Sequence, residues 1–155
     1  MNAILSPDRC YRYALARDLQ NMLGAGTMLF VGLNPSTADE TQDDPTIRRV
    51  KGFAVREGFA SLLVGNLFAF RSTAPSAMIN APDPIGSEND DHLQRMIAQS
   101  DAVLCGWGTL GKFMGRDKEV LLMIGNKAKC LAINADGTPN HPHDPSRLLN
   151  PSLIN

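Results

Sequence analysis

The stretch TMLFVGLNPSTADETQDD, residues 27–44, constrains the fold more than any other. An apolar run, Met28-Leu29-Phe30-Val31, stops at Gly32-Leu33-Asn34-Pro35-Ser36-Thr37, and Asp39, Glu40, Asp43 and Asp44 follow. A short apolar run bounded by Gly and Pro reads as a buried strand. The segment after it reads as a polar, constrained loop. In open α/β sheets the loop leaving a strand's C-terminal end is where ligands usually sit. Residues 34–44 are therefore expected to form half of a polar pocket, with Asn34 as its most informative residue.

The same pattern recurs along the chain. Asp44-Pro45 supplies an N-cap and a residue suited to the first helical turn. Ile47, Val50 and Ala54 follow at helical spacing, and Gly58 ends the helix. Strands are expected at 61–68, 101–105 and 129–134, and helices at 87–100 and 113–126, the first opened by a capping box at Ser87-Glu88-Asn89-Asp90. Residues 70–87 hold three prolines and read as a long loop with one helical turn near Ala77. Residues 1–10 read as a loose start, and an antiparallel edge strand near the N-terminus is expected at the beginning of 11–19, where Tyr11, Tyr13 and Leu15 alternate with Arg12 and Ala14.

Strands alternating with helices imply βαβ units with right-handed crossovers. The expectation is one α/β domain over 1–155, a three-layer α/β/α sandwich on a mainly parallel four-stranded sheet. Its strand-exit loops, 34–44, 66–71, 106–111 and 134–147, then open on one edge. The chain's 155 residues suit one domain. No apolar run approaches the length of a membrane span, so no membrane partner is expected. Three widely spaced cysteines without a C-x-x-C fit a reducing cytoplasm better than a disulfide scaffold or zinc knuckle. A net charge of −1 argues against tight non-specific DNA binding.

Several constellations carry candidate chemistry, each beside a plainer role. The Asn34 amide can orient a water or pair with a base edge, or it can simply shape a turn. The acids at 39–44 can hold a cation, but capping already accounts for Asp44. Asn66, Phe68, Phe70 and Arg71 cluster at one strand exit, where an amide, a ring and a guanidinium could read a base and hold a phosphate; core packing and a surface charge are the alternative. Gly106-Trp107-Gly108 could cradle a phosphate on backbone N–H groups, but it is neither a dinucleotide fingerprint nor a Walker loop and reads better as a tight turn with Trp107 packed over it. His141 and His143, restrained by prolines, suit a single imidazole donor better than a metal site. No cofactor is expected.

GLNPSTAD (32–39), DDPTIRR (43–49), NLFAFR (66–71), the Gly-Trp-Gly stretch and the His-Pro tail together resemble a bacterial and phage family of unknown function. The order G-x-N-P, then N-L-F…R, then His-Pro…Ser more distantly resembles the uracil-DNA glycosylase superfamily. That resemblance implies a nucleobase, nucleotide or nucleic acid as partner and glycosylase-like hydrolysis of an N-glycosidic bond. It implies that Asn34 places the attacking water, that Asn66 reads the base edge, and that Phe68 or Phe70 stacks on the base. His141 would donate to the base oxygen that gains charge, and Ser146 and Arg147 would touch phosphate; Ser36 and Arg71, on the same strand-exit loops, are expected among the substrate contacts independently of the resemblance. Here His143-Asp144-Pro145 interrupts the His-Pro-Ser motif, which keeps a non-catalytic nucleotide-binding or phosphorylated-metabolite module open as the alternative.

Overall fold

The central strand forms where the apolar run predicts it, and it is buried on both faces. In this computed structural model, which describes residues 3–142 and the backbone of a short strand at 152–153, the strands in chain order are β1 (Ala3–Leu5), β2 (Arg12–Asp18), β3 (Thr27–Gly32), β4 (Ser61–Asn66), β5 (Ala102–Cys105), β6 (Ala128–Cys130) and β7 (Ser152–Leu153). The helices are α1 (Pro45–Arg56), α2 (Pro75–Ile79), α3 (Asn89–Gln99) and α4 (Arg116–Ile124). Among the described residues no helix is long and apolar enough to cross a membrane.

The sheet order is β1-β2-β4-β3-β5-β6-β7. The inner block β4-β3-β5-β6 is parallel, whereas β1, β2 and β7 pair antiparallel at the edges. The sheet is therefore mixed, with seven strands among the described residues, and not the mainly parallel four-stranded sheet expected from sequence. The extra strands have a physical role: a parallel block ends in rows of unpaired backbone groups, and short antiparallel strands satisfy them. β1 comes from the segment read as a loose start. Three residues are too few to show a period.

Alternation along β3 sends Met28 and Phe30 to one face and Leu29 and Val31 to the other. α1 covers the first face with Ile47, Val50, Phe53 and Ala54; α3 and α4 cover the second with Leu93, Met96, Ile97, Val120 and Ile124. Local signals set the ends of α1. The Asp44 side chain accepts from Ile47 N at 2.9 Å, Pro45 sits in the first turn, and Gly58 follows the helix at φ +88°. The capping box expected at the start of α3 does not form, because the N-cap position, Glu88, makes no side-chain cap bond. The Asn89 side chain instead turns inward and donates to the Asn66 and Leu67 carbonyls at 3.0 and 3.1 Å. The helix expected over 113–126 begins only at Arg116, after a 3₁₀ segment, Thr109–Gly115, in which Met114 and Gly115 are left-handed.

Glycines at two strand ends differ sharply in what surrounds them. A Cβ on Gly65 would meet the tips of Leu93 and Met96, at 2.8 and 2.9 Å, and those flexible ends can swing aside. A Cβ on Gly106 would stand 2.7 Å from the Phe30 ring and 3.0 Å from Pro142, both rigid. Gly106→Ala is accordingly expected to lose about 1–3 kcal/mol through overpacking, and Gly65→Ala clearly less. Urea unfolding of the two variants checks the difference, and equal losses would contradict it.

Candidate functional site

A cavity of about 200 Å³ opens where β3, β4 and β5 end. It is smaller than the roughly 300–1,000 Å³ typical of pockets for drug-sized ligands, so it suits a small ligand or one part of a larger one. Its floor includes the ring of Phe30, which lies across the ends of the strands. A Cβ at Gly32 would stand 3.1 Å from that ring and 3.1 Å from Asn66 Oδ1. Gly32 therefore lets an aromatic ring and a side-chain amide stand together at one strand end.

Asn66 is the last residue of β4, paired with Gly32 across the parallel ladder. Its backbone is held from behind. Asn89 grips the Asn66 and Leu67 carbonyls, and the fully buried Arg116 donates through Nε to Leu67 O at 2.8 Å while ion-pairing with Asp90. Asn66 is only 4% exposed, and its Nδ2 is buried without a partner. A buried donor left unpaired costs about 1–3 kcal/mol, a cost that falls here on a residue of the cavity wall.

Asn34 lines the same cavity, but most of its amide is spent on the loop. Nδ2 faces the carbonyls of Ser72, Pro35 and Phe70 at 3.1, 3.3 and 3.3 Å. Three acceptors around one atom fix it as the nitrogen and leave Oδ1 as the amide end available to a ligand or water. Ser36 and His141 line the cavity as well. Asn34, Ser36, Asn66 and His141, scattered over more than a hundred residues, thus share one wall.

Other residues singled out in the sequence lie elsewhere. Phe68 is fully buried in the core under α3 and α4, 5.6 Å from the Phe113 ring. Phe70 packs edge-on against Tyr11 at 5.8 Å. Neither lines the cavity, because β4 ends at Asn66 and the chain turns both rings away from the strand end. Phe30 is the ring that does. Arg71 stays outside the wall and braces the loop, donating to the carbonyls of Ser36 at 3.4 Å and Arg9 at 3.3 Å. Ser146 and Arg147 lie outside the described residues.

The acidic loop is consumed by its own architecture. Asp39 Oδ1 accepts from Thr41 N and Gln42 N, each at 3.0 Å. Glu40 pairs bidentately with Arg9 at 2.8 and 2.9 Å, a hydrogen-bonded match that lowers its carboxyl to about 2. Asp43 bridges Arg17 at 2.8 Å and Lys51 at 2.9 Å, and Asp44 caps α1. Among the described residues no group of three or more His, Cys, Asp or Glu side chains is placed to hold a metal ion.

Sequence reasoning missed two wall residues. Phe30 reads as ordinary core, and its role shows only in the glycines at 32 and 106 that make room for it. Arg12 reads as a polar residue of an edge strand, yet it is 2% exposed and lines the cavity, where burial lowers its guanidinium to about 10. Trp107, also on the wall, packs its indole against Gly111, as a tight turn there requires.

The bracing by Asn34 has a testable consequence. Asn34→Asp places a carboxylate against three carbonyls and removes their donor, so it is expected to cost roughly 1–3 kcal/mol at neutral pH. A protonated carboxyl regains one donor, so the folded state raises the pKa of the new group. Its stability is then greatest at low pH and falls as pH rises through the folded-state pKa. Thermal unfolding of Asn34→Asp against wild type between pH 4 and pH 8 (a range set by the ordinary Asp pKa of about 3.9) measures the gap, and a gap that narrows with rising pH would refute this account.

No curated protein and no solved structure matches the chain. A family profile does: it spans residues 12–143 and so takes in every wall residue from Arg12 to His141. With its cavity wall inside that span, the chain belongs to the family described as protein of unknown function (DUF1643).

Proposed function

We propose that the cavity binds a nucleobase and that the chain hydrolyses an N-glycosidic bond of a nucleotide or nucleic acid. The observation that carries this reading is Asn66: a buried amide with an unpaired Nδ2, held beside an aromatic ring at a strand end. A base supplies what both lack, a carbonyl acceptor for Nδ2 and a flat face for Phe30. The motif order resembling the uracil-DNA glycosylase superfamily supports the same reading.

In this reading Asn34 Oδ1 accepts a hydrogen bond from a water and orients it toward the sugar C1′. The water oxygen bonds to C1′ as the C1′–N bond breaks. The bonding pair leaves with the base nitrogen and spreads onto the carbonyl oxygen, where Asn66 Nδ2–H and an N–H of His141 donate. The attacking water loses its proton to bulk solvent and the sugar keeps the hydroxyl. On a duplex the base would first have to leave the stack.

A non-catalytic nucleotide-binding module is the second reading. The bracing role of Asn34 favours it, since that amide already has structural work.

Asn66→Ala is expected to weaken nucleoside binding roughly 5- to 150-fold, the equivalent of about 1–3 kcal/mol. Its folding stability should hold or rise, because a buried unpaired donor disappears. Calorimetric titration with a panel of nucleosides, paired with thermal unfolding, reads both. Unchanged affinity in Asn66→Ala would sink the nucleobase reading. Mass spectrometry of the same mixtures separates the two functions. Free base released by wild type and not by folded Asn34→Ala supports hydrolysis, and saturable binding without base release supports the module.

A further inference from the structure

Two charged groups on the cavity wall, Arg12 and Asp44, take no part in the chemistry above. Arg12 opens β2 and is 2% exposed. Its Nη1 donates to the Ala38 carbonyl at 2.9 Å, and its Nε–H is buried without a partner. Among the described residues no carboxylate stands within 4 Å of it. A buried guanidinium with an unused donor edge is costly unless an anion meets it.

The surrounding charges sharpen the point. Arg9, Arg17 and Lys51 are matched by Glu40 and Asp43. Arg71, like Arg12, has no carboxylate within 4 Å among the described residues, and its Nε holds the Ser36 carbonyl. Two guanidinium groups that meet carboxylates only at longer range, Arg12 with Asp44 and Arg71 with Glu40, therefore grip the same short loop at Ala38 and Ser36. α1, a helix of 12 residues, begins on this wall with Thr46 and Ile47, and its first turn carries partial positive charge. Asp44 opposes these groups as the one carboxylate among the described lining residues, but its Oδ1 is turned into α1 by Ile47 N.

Phe30, Asn66 and Trp107 belong to the strand ends, whereas Arg12, Ser36 and Thr46 belong to β2, the 34–44 loop and the start of α1. We propose that Arg12 receives a phosphoryl oxygen, so that the ligand is a nucleoside carrying a phosphate whose charged end lies toward Arg12 and α1. A guanidinium offers phosphate two parallel N–H donors, a match that a neutral acceptor cannot equal. The nucleoside half of this assignment rests on the nucleobase reading; the phosphate half rests on Arg12. The phosphate can belong to a free nucleotide or to a nucleic-acid strand.

Calorimetry on the intact chain tests it with four probes: a nucleoside that binds, its 5′-monophosphate, a short single-stranded oligonucleotide of the same base, and inorganic phosphate. The monophosphate is expected to bind about ten- to a hundredfold tighter than the nucleoside, in line with a charged hydrogen-bonded contact, and the advantage should shrink with added salt. Arg12→Gln should erase that ratio, while Arg12→Lys should retain part of it. Asp44→Asn keeps a good N-cap and removes the opposing charge, so it should enlarge the ratio. A tighter oligonucleotide assigns the phosphate to a strand, and a weaker one assigns it to a free nucleotide.

Nucleoside binding with no phosphate advantage overturns the role of Arg12 and leaves the nucleobase reading standing. Inorganic phosphate binding that Arg12→Gln abolishes, with no nucleoside binding, overturns the nucleobase reading and keeps Arg12. If Arg12→Gln does not fold, an unchanged ratio in both Arg12→Lys and Asp44→Asn overturns the assignment.

Discussion

Close approach at the ends of β3 and β5 is the constraint on which the rest of the site depends. Phe30 can lie across those ends only because positions 32 and 106 carry no side chain: a Cβ at either would stand 3.1 or 2.7 Å from its ring. The missing side chains also bring Asn66 within reach of the same space, since Gly32 pairs with it across the ladder. The cavity is thus a gap the sheet leaves at its own edge. Its shape follows from strand register, which is among the least adjustable features of a sheet.

Polar groups around that gap divide into those whose donors hold its framework and those whose donors are left without a partner. Asn89 and Arg116 spend donors on the carbonyls at the end of β4, and Asn34 and Arg71 spend theirs on the loops opposite. These bonds hold two irregular segments still without help from regular structure. Asn66 Nδ2, Arg12 Nε and Trp107 Nε1, by contrast, are buried and unmatched. A fold tolerates few such groups, and these three line one cavity.

The fold was legible wherever its cause is local. Asp44-Pro45 and Gly58 bound α1 because capping and left-handed termination act over a few residues. The runs at 28–31, 62–64 and 102–105 became strands because they are apolar on both sides, as the inner strands of a parallel block must be. The capping box before α3 failed because the helix is capped one residue late, at Glu88, and Asp90, the acid of the box, is drawn into an ion pair with Arg116. β1 and β7 escaped notice because edge strands of two or three residues have no period to read. In the site, polar residues at strand exits were visible as candidates, and Asn34, Ser36, Asn66 and His141 do share a wall. Phe68 and Phe70 were misplaced because proximity in sequence to Asn66 says nothing about which way a chain turns after its strand ends.

By itself the sequence determined the alternation of strands and helices, the ends of α1 and the polar loops that follow the strands, since each follows from periodicity or capping within a short window. Tertiary structure alone decided that Phe30 rather than Phe68 or Phe70 faces the cavity. It also decided that Arg12 from an antiparallel strand joins the wall, and that the sheet is mixed. The physical reason is common to all three: they depend on which strands become neighbours and in what register, and pairing between distant segments leaves almost no trace in the composition of either one.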